Sequence, residues 1–258
     1  MKICAVICEY NPFHFGHAYL ISEMKKRGAV VAVMSGSFTQ RGEPAVISKY
    51  ERARAALLGG ADLVLELPFP YSSSCAERFA SAGTDIVSAL GCVDELCFGS
   101  EAGNIDSLRT ASSAFVDAVK SCLSEGHGIS YRSAVSEVYK KLYGAELCGG
   151  SNDILAISYL ARLNQTASSV RPVAVKRIGE AYDGSGEGLP SASTVRKMLV
   201  DGDFDAVSRS VPSFMGEMLR SAAARGGIAA GEKLFPIFAG LVRSGREESF
   251  GDVPDMTA

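Results

Sequence analysis

An apolar run from Ile3 to Ile7 leads directly into Glu9-Tyr-Asn-Pro-Phe-His-Phe-Gly-His17, which carries two of the three histidines in 258 residues. A run of small apolar residues suits a strand buried on both faces. Pro12 favours extended or turn backbone in Asn11, and His17 to Lys26 has helical composition with Leu20, Ile21 and Met24 on one side. The reading is strand, turn, helix. Imidazoles at i and i+3 share one side of a first helical turn, beside unpaired backbone N–H groups and the positive end of the helix dipole, where phosphate oxygens are best held. Gly16 removes a side chain where a ligand would approach the backbone.

The alternation continues. Ala29 to Met34 reads as a second strand, and the loop Ser37 to Ile47 places Gln40, Arg41 and Glu43 beyond its carboxyl end, where open α/β sheets bind ligands. Ser48-Lys-Tyr-Glu51 is a capping box for a helix over Lys49 to Leu58 that stops at Gly59-Gly60. Asp62 to Leu67 is a third strand, broken by Pro68 and Pro70. Ser74-Cys-Ala-Glu77 predicts a second capping box and a helix to about Leu90, followed by a strand over Asp94 to Phe98 and a Gly99–Gly103 loop. Ile105 to Leu123 and Ser130 to Tyr143 read as helices, with His127 a turn residue between glycines.

Ser151 or Asn152 can cap a helix over Ile154 to Leu163, and Arg171 to Ile178 reads as the last strand. Ser191-Ala-Ser-Thr194 at the start of a helix over Val195 to Val200, with Arg196 just inside, forms a second anion site able to close on a triphosphate opposite the histidines. Gly36 and Gly99 would let backbone approach a nucleotide. The expected fold is an α/β doubly wound parallel sheet with a helical carboxyl-terminal segment. Residues 1–200 would form the nucleotide-binding domain and 201–258 the helical segment.

A net charge of -3 excludes a generally basic nucleic-acid binder, so any RNA contact must come from local clusters. The candidates are Arg171 with Lys176 and Arg177, Arg196 with Lys197, and the pair Arg220 and Arg225. Seven cysteines without a CxxC pair suggest neither a disulfide framework nor a zinc knuckle, and Cys4, Cys8 and Cys97 read as small buried hydrophobes. No apolar run reaches membrane-spanning length and no signal peptide opens the chain, so a cytoplasmic location is expected.

His14-Phe-Gly-His17 matches the HxGH signature of adenylyl and cytidylyl transferases, and the longer block EYNPFHFGH resembles the tRNA(Met) cytidine acetate ligases. Also similar to that family, in its order, are MSGSFTQRGEPA (Met34–Ala45), GADLVLELPF (Gly60–Phe69), CFGSEAG (Cys97–Gly103), SNDILAISYL (Ser151–Leu160), KRIGEAYDG (Lys176–Gly184) and SASTVRKML (Ser191–Leu199). The resemblance implies a Rossmann-like HxGH nucleotidyltransferase that takes ATP, with Mg2+, and activates acetate to acetyl-adenylate. The acetyl group would then pass to N4 of the wobble cytidine of elongator tRNA(Met).

It assigns chemistry to His14, His17 and Arg196, and nucleotide contacts to Ile7, Glu9, Tyr10, Asn11, Pro12, Phe13, Gly16 and Leu20, with Gly36, Gly99, Ser100, Asn152, Arg177, Ser193 and Thr194. One spacing departs from the family's ST-x-x-R segment: Arg196 comes one position early and Lys197 falls where the arginine is usual. The ligases are also longer, with a helical region beyond the last motif that helps hold tRNA; about 60 residues follow it here. The competing readings are another HxGH adenylyltransferase with a small-molecule acceptor, and a nucleotide-binding regulator without turnover.

Overall fold

The computed structural model describes residues 1–101, 103–112, 137–138, 140–141, 151–178, 189–229 and 231–244. Five strands, β1 (Lys2–Cys8), β2 (Gly28–Ser35), β3 (Leu63–Leu67), β4 (Glu95–Ser100) and β5 (Arg171–Lys176), form one sheet in the order β3-β2-β1-β4-β5. Every pairing is parallel. The order reverses at β1, so the crevice at its carboxyl end is the expected ligand position. The helices are α1 (Phe15–Lys25), α2 (Lys49–Leu58), α3 (Ala76–Ala89), α4 (Ser151–Gln165), α5 (Ala192–Val200), α6 (Phe204–Ser210), α7 (Ser213–Ala224) and α8 (Gly231–Ser244).

Strand periodicity divides the interior into two layers. Ala5, Ile7, Val31, Val33, Leu96 and Phe98 turn to one face, against Phe79 and Val87 of α3 and Ile157 and Leu160 of α4. Cys4, Val6, Cys8, Val30, Ala32, Met34 and Cys97 turn to the other, against α1, α2 and the helices after β5. The three cysteines are buried and behave as the small hydrophobes expected of them. Val207, Met215 and Leu219 of α6 and α7 belong to this second layer, so those helices share the core of the sheet. Among the described residues no helix is long and apolar enough to cross a membrane.

Several local expectations change. Helix α1 begins at Phe15, and His14 is its N-cap with extended backbone instead of its neighbour in a first turn. Ser48 forms the expected capping box with Glu51, but Ser74 does not cap α3: its hydroxyl donates to the Pro70 carbonyl at 2.9 Å across the short 3-10 turn Tyr71–Ser73, and Cys75 takes the N-cap position without a side-chain bond. The helices expected over Ile105–Leu123 and Ser130–Tyr143, and His127 between them, lie largely outside the described residues.

The amino edge of the sheet holds a buried charge. Glu95 is 0% exposed and accepts from Arg27 Nε at 2.5 Å, Lys2 Nζ at 2.8 Å and Arg171 Nη2 at 2.6 Å. The Arg27 guanidinium, with Lys2, holds this carboxyl down at about 2. The basic cluster read as Arg171 with Lys176 and Arg177 therefore splits: Arg171 closes the amino edge, and Lys176 ends the strand at the carboxyl edge, roughly 17 Å away at a strand's rise per residue.

Candidate active site

The site begins with backbone. After β1 the chain places Tyr10 at φ 47°, a left-handed conformation uncommon for a bulky residue and found where surrounding structure enforces it. The Tyr10 ring is buried edge-on against Phe13 (centroids 5.0 Å apart) and His17 (4.9 Å), and Phe13 fills the core beside Phe214 and the backbone of Gly59. Phe13 thus supports the histidines from behind and is not part of the cavity wall.

The two histidines form a reciprocal cap. His14 Nδ1 accepts from Gly16 N at 3.0 Å, and His14 N donates to His17 Nδ1 at 3.2 Å. With both Nδ1 atoms acting as acceptors, the protons of the neutral rings sit on Nε2, so two imidazole N–H donors lie in rings stacked 3.7 Å apart. Burial, with Arg177 nearby, lowers His14 to about 4, and burial, with His14 and Arg177 beside it, holds His17 well below its usual value; both rings are neutral at pH 7. Gly16 is needed for a reason other than the one expected: a Cβ there would meet His14 Cε1 at 2.8 Å, so the glycine makes room for the capping imidazole.

A cavity of about 310 Å³ opens over this turn at the carboxyl edge of the sheet. Its walls include Ile7, Glu9, Tyr10, Asn11, His14, Gly16, His17, Leu20, Gly99, Asn152, Arg177, Ser193 and Arg196, which are most of the residues singled out from the sequence. Pro12, Gly36, Ser100 and Thr194 are not in the wall. Gly36 packs against Glu66, whose Oε1 would lie 2.4 Å from an added Cβ, and Ser100 Oγ donates to Asp153 Oδ1 at 2.6 Å. Thr194 shares a hydroxyl contact of 2.9 Å with Ser191, the N-cap of α5. These residues shape the loops from behind.

Long-range bonds fix each wall. Arg196 Nη1 donates to the Asn11 carbonyl at 2.9 Å, which brings the start of α5 to the histidine turn; Lys197 is exposed and outside the wall, so Arg196 is the cation that faces the cavity. Asn11 Oδ1 accepts from Val46 N at 2.8 Å. On the β4 side, Asn152 Nδ2 donates to Glu101 Oε1 at 2.6 Å, while Glu101 N donates to Asp153 Oδ1 at 3.1 Å, a reciprocal clasp between the Gly99 loop and α4. On the β2 side, Glu9 Oε1 accepts from Gln40 N at 2.6 Å.

Sequence reasoning missed Arg52. Its guanidinium, fully buried under the site, donates to the carbonyls of Glu9, Ser35 and Gly36 and so ties the carboxyl ends of β1 and β2 together. Only its position on the buried side of α2, with Ala55 and Ala56, hinted at this. Also missed was the apolar wall on the β4–β5 side, made by Phe79, Phe98, Leu155, Tyr159 and Val175, which suits a purine ring. Gln40, Arg41 and Glu43, read only as polar loop chemistry, line the opposite side; the Gln40 side-chain Nε2 is buried and has no hydrogen-bond partner among the described residues.

The cavity wall offers no carboxylate cage for Mg2+ among the described residues. Among the described residues the cluster close enough to bind a metal is Cys4, Glu95 and Cys97, and it lies toward the amino edge with Glu95 already held by three cations.

A parallel sheet reversing at β1, a histidine-capped helix directly after it and an arginine from α5 over that cap define a nucleotide-binding site of the HxGH transferase class. The family profile described as HIGH Nucleotidyl Transferase matches residues 1–258. The chain is 38% identical to the tRNA(Met) cytidine acetate ligase of Acetivibrio thermocellus, over 94% of this chain and 63% of that protein. It is 37% identical to the protein of the same name from Caldanaerobacter subterraneus subsp. tengcongensis, over 99% of this chain and 68% of that one. Among solved structures, it is similar to Thermotoga maritima TmcAL bound with alpha-thio ATP (TM-score 0.78, 32% identity, 91% of this chain and 59% of that chain). The apo form of the same protein gives a TM-score of 0.85 at 29% identity, covering 100% of this chain and 65% of that chain. The chain belongs to the HIGH nucleotidyl transferase family and, within it, to the tRNA(Met) cytidine acetate ligase family. It spans less than two thirds of the length of the Acetivibrio and Thermotoga relatives.

Proposed function

We propose that this chain binds ATP, uses it to convert acetate to acetyl-adenylate, and delivers the acetyl group to N4 of the wobble cytidine of elongator tRNA(Met). The observation that carries the reading is the pair of neutral imidazoles with Nε2–H donors, joined by Arg196 over one cavity. Nucleotidyl transfer needs no enzyme nucleophile; it needs in-line positioning and donors where charge builds on the α-phosphate and the departing pyrophosphate.

In this reading the adenine lies against Leu155, Tyr159 and Val175, and the phosphates over His14, His17 and Arg196. An acetate oxygen attacks the α-phosphorus, the bond to the β-phosphate bridging oxygen breaks, and pyrophosphate leaves with the electron pair. The buried Gln40 Nε2 on the β2 side, without a partner among the described residues, is the donor we assign to the acetate carboxylate. Mg2+ bound with ATP would spread the triphosphate charge, beside His14, His17 and Arg196, which supply the protein's own donors to those phosphates. In the second half the cytidine N4 attacks the acetyl carbonyl carbon, AMP departs as the leaving group, and N4 loses a proton to solvent.

Acetate-dependent exchange of labelled pyrophosphate into ATP tests the first half directly. Exchange with acetate and none without it is the expected result. Exchange driven by a different acceptor would replace acetate in the scheme, and no exchange with any acceptor would leave a nucleotide-binding regulator.

A further inference from the structure

Two aromatic rings stand in the open beside the β2 side of the cavity. Phe38 is 37% exposed and Phe69 is 69% exposed, yet their centroids are 6.2 Å apart, so loops that follow β2 and β3 bring them together at the carboxyl edge. Tyr71, two residues after Phe69, is 50% exposed. Isolated exposed hydrophobics need no explanation, but a pair held in contact at the rim of a ligand site does.

The Phe38 side is built rigidly. Phe38 and Pro44 form an antiparallel bridge, Thr39 N donates to the Glu43 carbonyl at 2.9 Å, Ala45 N donates to Ser37 O at 2.9 Å, and Gly42 takes the positive φ that closes the turn. The next residues along, Thr39, Gln40 and Arg41, are cavity wall, so the ring begins where the wall ends. Arg41 is exposed and has no ion-pair partner among the described residues, whereas the nearby carboxylate of Glu66 is neutralised by Lys49 at 2.7 Å.

We propose that Phe38 and Phe69, with Arg41 beside them, form a stacking shelf for unpaired bases of the acceptor RNA. The inference rests on the proposed function for the identity of the acceptor. The apolar wall that suits adenine is on the β4–β5 side, so the acceptor enters from the β2–β3 side, across the shelf. A cytidine that reaches the acetyl carbonyl of an acetyl-adenylate held in this cavity must leave its loop, and flanking bases splayed with it present π-faces. Aromatic rings bind such bases without regard to sequence, and a free arginine meets the phosphates between them. Of the cations of the later helices read as RNA contacts, Arg220 is paired with Asp205 at 3.1 Å and Arg225 with Glu51, both in exposed ion pairs.

The test uses this chain with unmodified tRNA(Met) transcript and with a single-stranded RNA of its anticodon-loop sequence carrying 2-aminopurine next to the cytidine. Phe69→Ala and the Phe38→Ala/Phe69→Ala pair should weaken binding of both RNAs by about 5- to 150-fold for each base that stacks. They should also restore 2-aminopurine fluorescence, while acetate-dependent pyrophosphate exchange stays at the wild-type rate. Phe69→Trp should retain binding, which separates stacking from a general loss of packing. Unchanged RNA affinity in the double variant would overturn the proposal and leave the rings as a protein-contact surface; equal loss of exchange and RNA binding would overturn it by making them part of the adenylation site. Wild-type chain that binds RNA through the shelf but shows no acetate-dependent exchange would refute the acetate reading and spare the shelf.

Discussion

Replacing Glu95 with Gln removes the one charge that three cations at the amino edge of the sheet share. A carboxyl that titrates at about 2 in the folded chain, against its usual 4.5, corresponds to about 3 kcal/mol in favour of the folded state at neutral pH. The Lys2, Arg27 and Arg171 side chains are 47%, 40% and 62% exposed, so solvent screens part of this and the expected loss is about 2 kcal/mol. The sign follows from the lowered pKa. The stabilisation is fully present above pH 4.5, where the unfolded chain is also ionised, and it is lost as pH falls toward 2. Urea unfolding of wild type and Glu95→Gln from pH 7 down to pH 2.5 should show a gap of about 2 kcal/mol that closes below pH 4.5. A gap under about 0.5 kcal/mol at pH 7, or one that does not change with pH, would refute the account of the cluster. Pyrophosphate exchange should be unaffected under folding conditions, because the proposed adenylation site is at the opposite edge; exchange lost from a folded variant would refute that placement.

At the site itself, His17→Ala should lower exchange on the order of 10²-fold or more with circular dichroism unchanged, as for removal of one preorganised donor. Gln40→Ala should raise the KM for acetate about tenfold while leaving the KM for ATP near wild type; a rise in the ATP value alone would move Gln40 to the nucleotide side. Exchange should keep its rate as pH falls from 7.5 to 5.5, because burial lowers His14 to about 4 and its Nδ1 stays free to accept from Gly16 N. A loss of rate centred near pH 6.5 would refute the neutral-imidazole reading. Arg52→Met should weaken ATP binding and lower stability together, by about 2 kcal/mol or more, since it leaves the carbonyls of Glu9, Ser35 and Gly36 buried without donors.

The strands and the histidine turn were readable because their signals are local. The small apolar run Ile3–Ile7 needs a sheet with both faces covered, and Ser48 to Glu51 spells a cap within four residues. Ser74 spells the same cap and fails, because Pro68 and Pro70 bring a carbonyl within reach of its hydroxyl first. Arg52 was illegible for a different reason: its partners lie 43, 17 and 16 residues away, and only the finished sheet gathers those carbonyls around one guanidinium. The same limit hid the split of the basic cluster, since Arg171 and Lys176 are five residues apart in sequence but belong to opposite ends of one strand. Gly16 was marked as special by pattern, while the neighbour that demands it, the folded-back ring of His14, appears only in three dimensions.

That folded-back ring binds local folding and chemistry into a single pH limit. The His14 Nδ1 that starts helix α1 can accept from Gly16 N only while the imidazole is neutral, so a proton added there would remove the helix's first bond at the moment it altered the donor set. The unfolded chain takes that proton near pH 6.5 and the folded chain resists it to about pH 4, so acid works against the turn throughout that interval. Asparagine, a good N-cap with no ring beyond it, separates the two duties: α1 would keep its start and the cavity would lose its Nε2–H. A residue that begins a helix and, in the proposed reading, also meets the nucleotide leaves selection little room to tune either property alone.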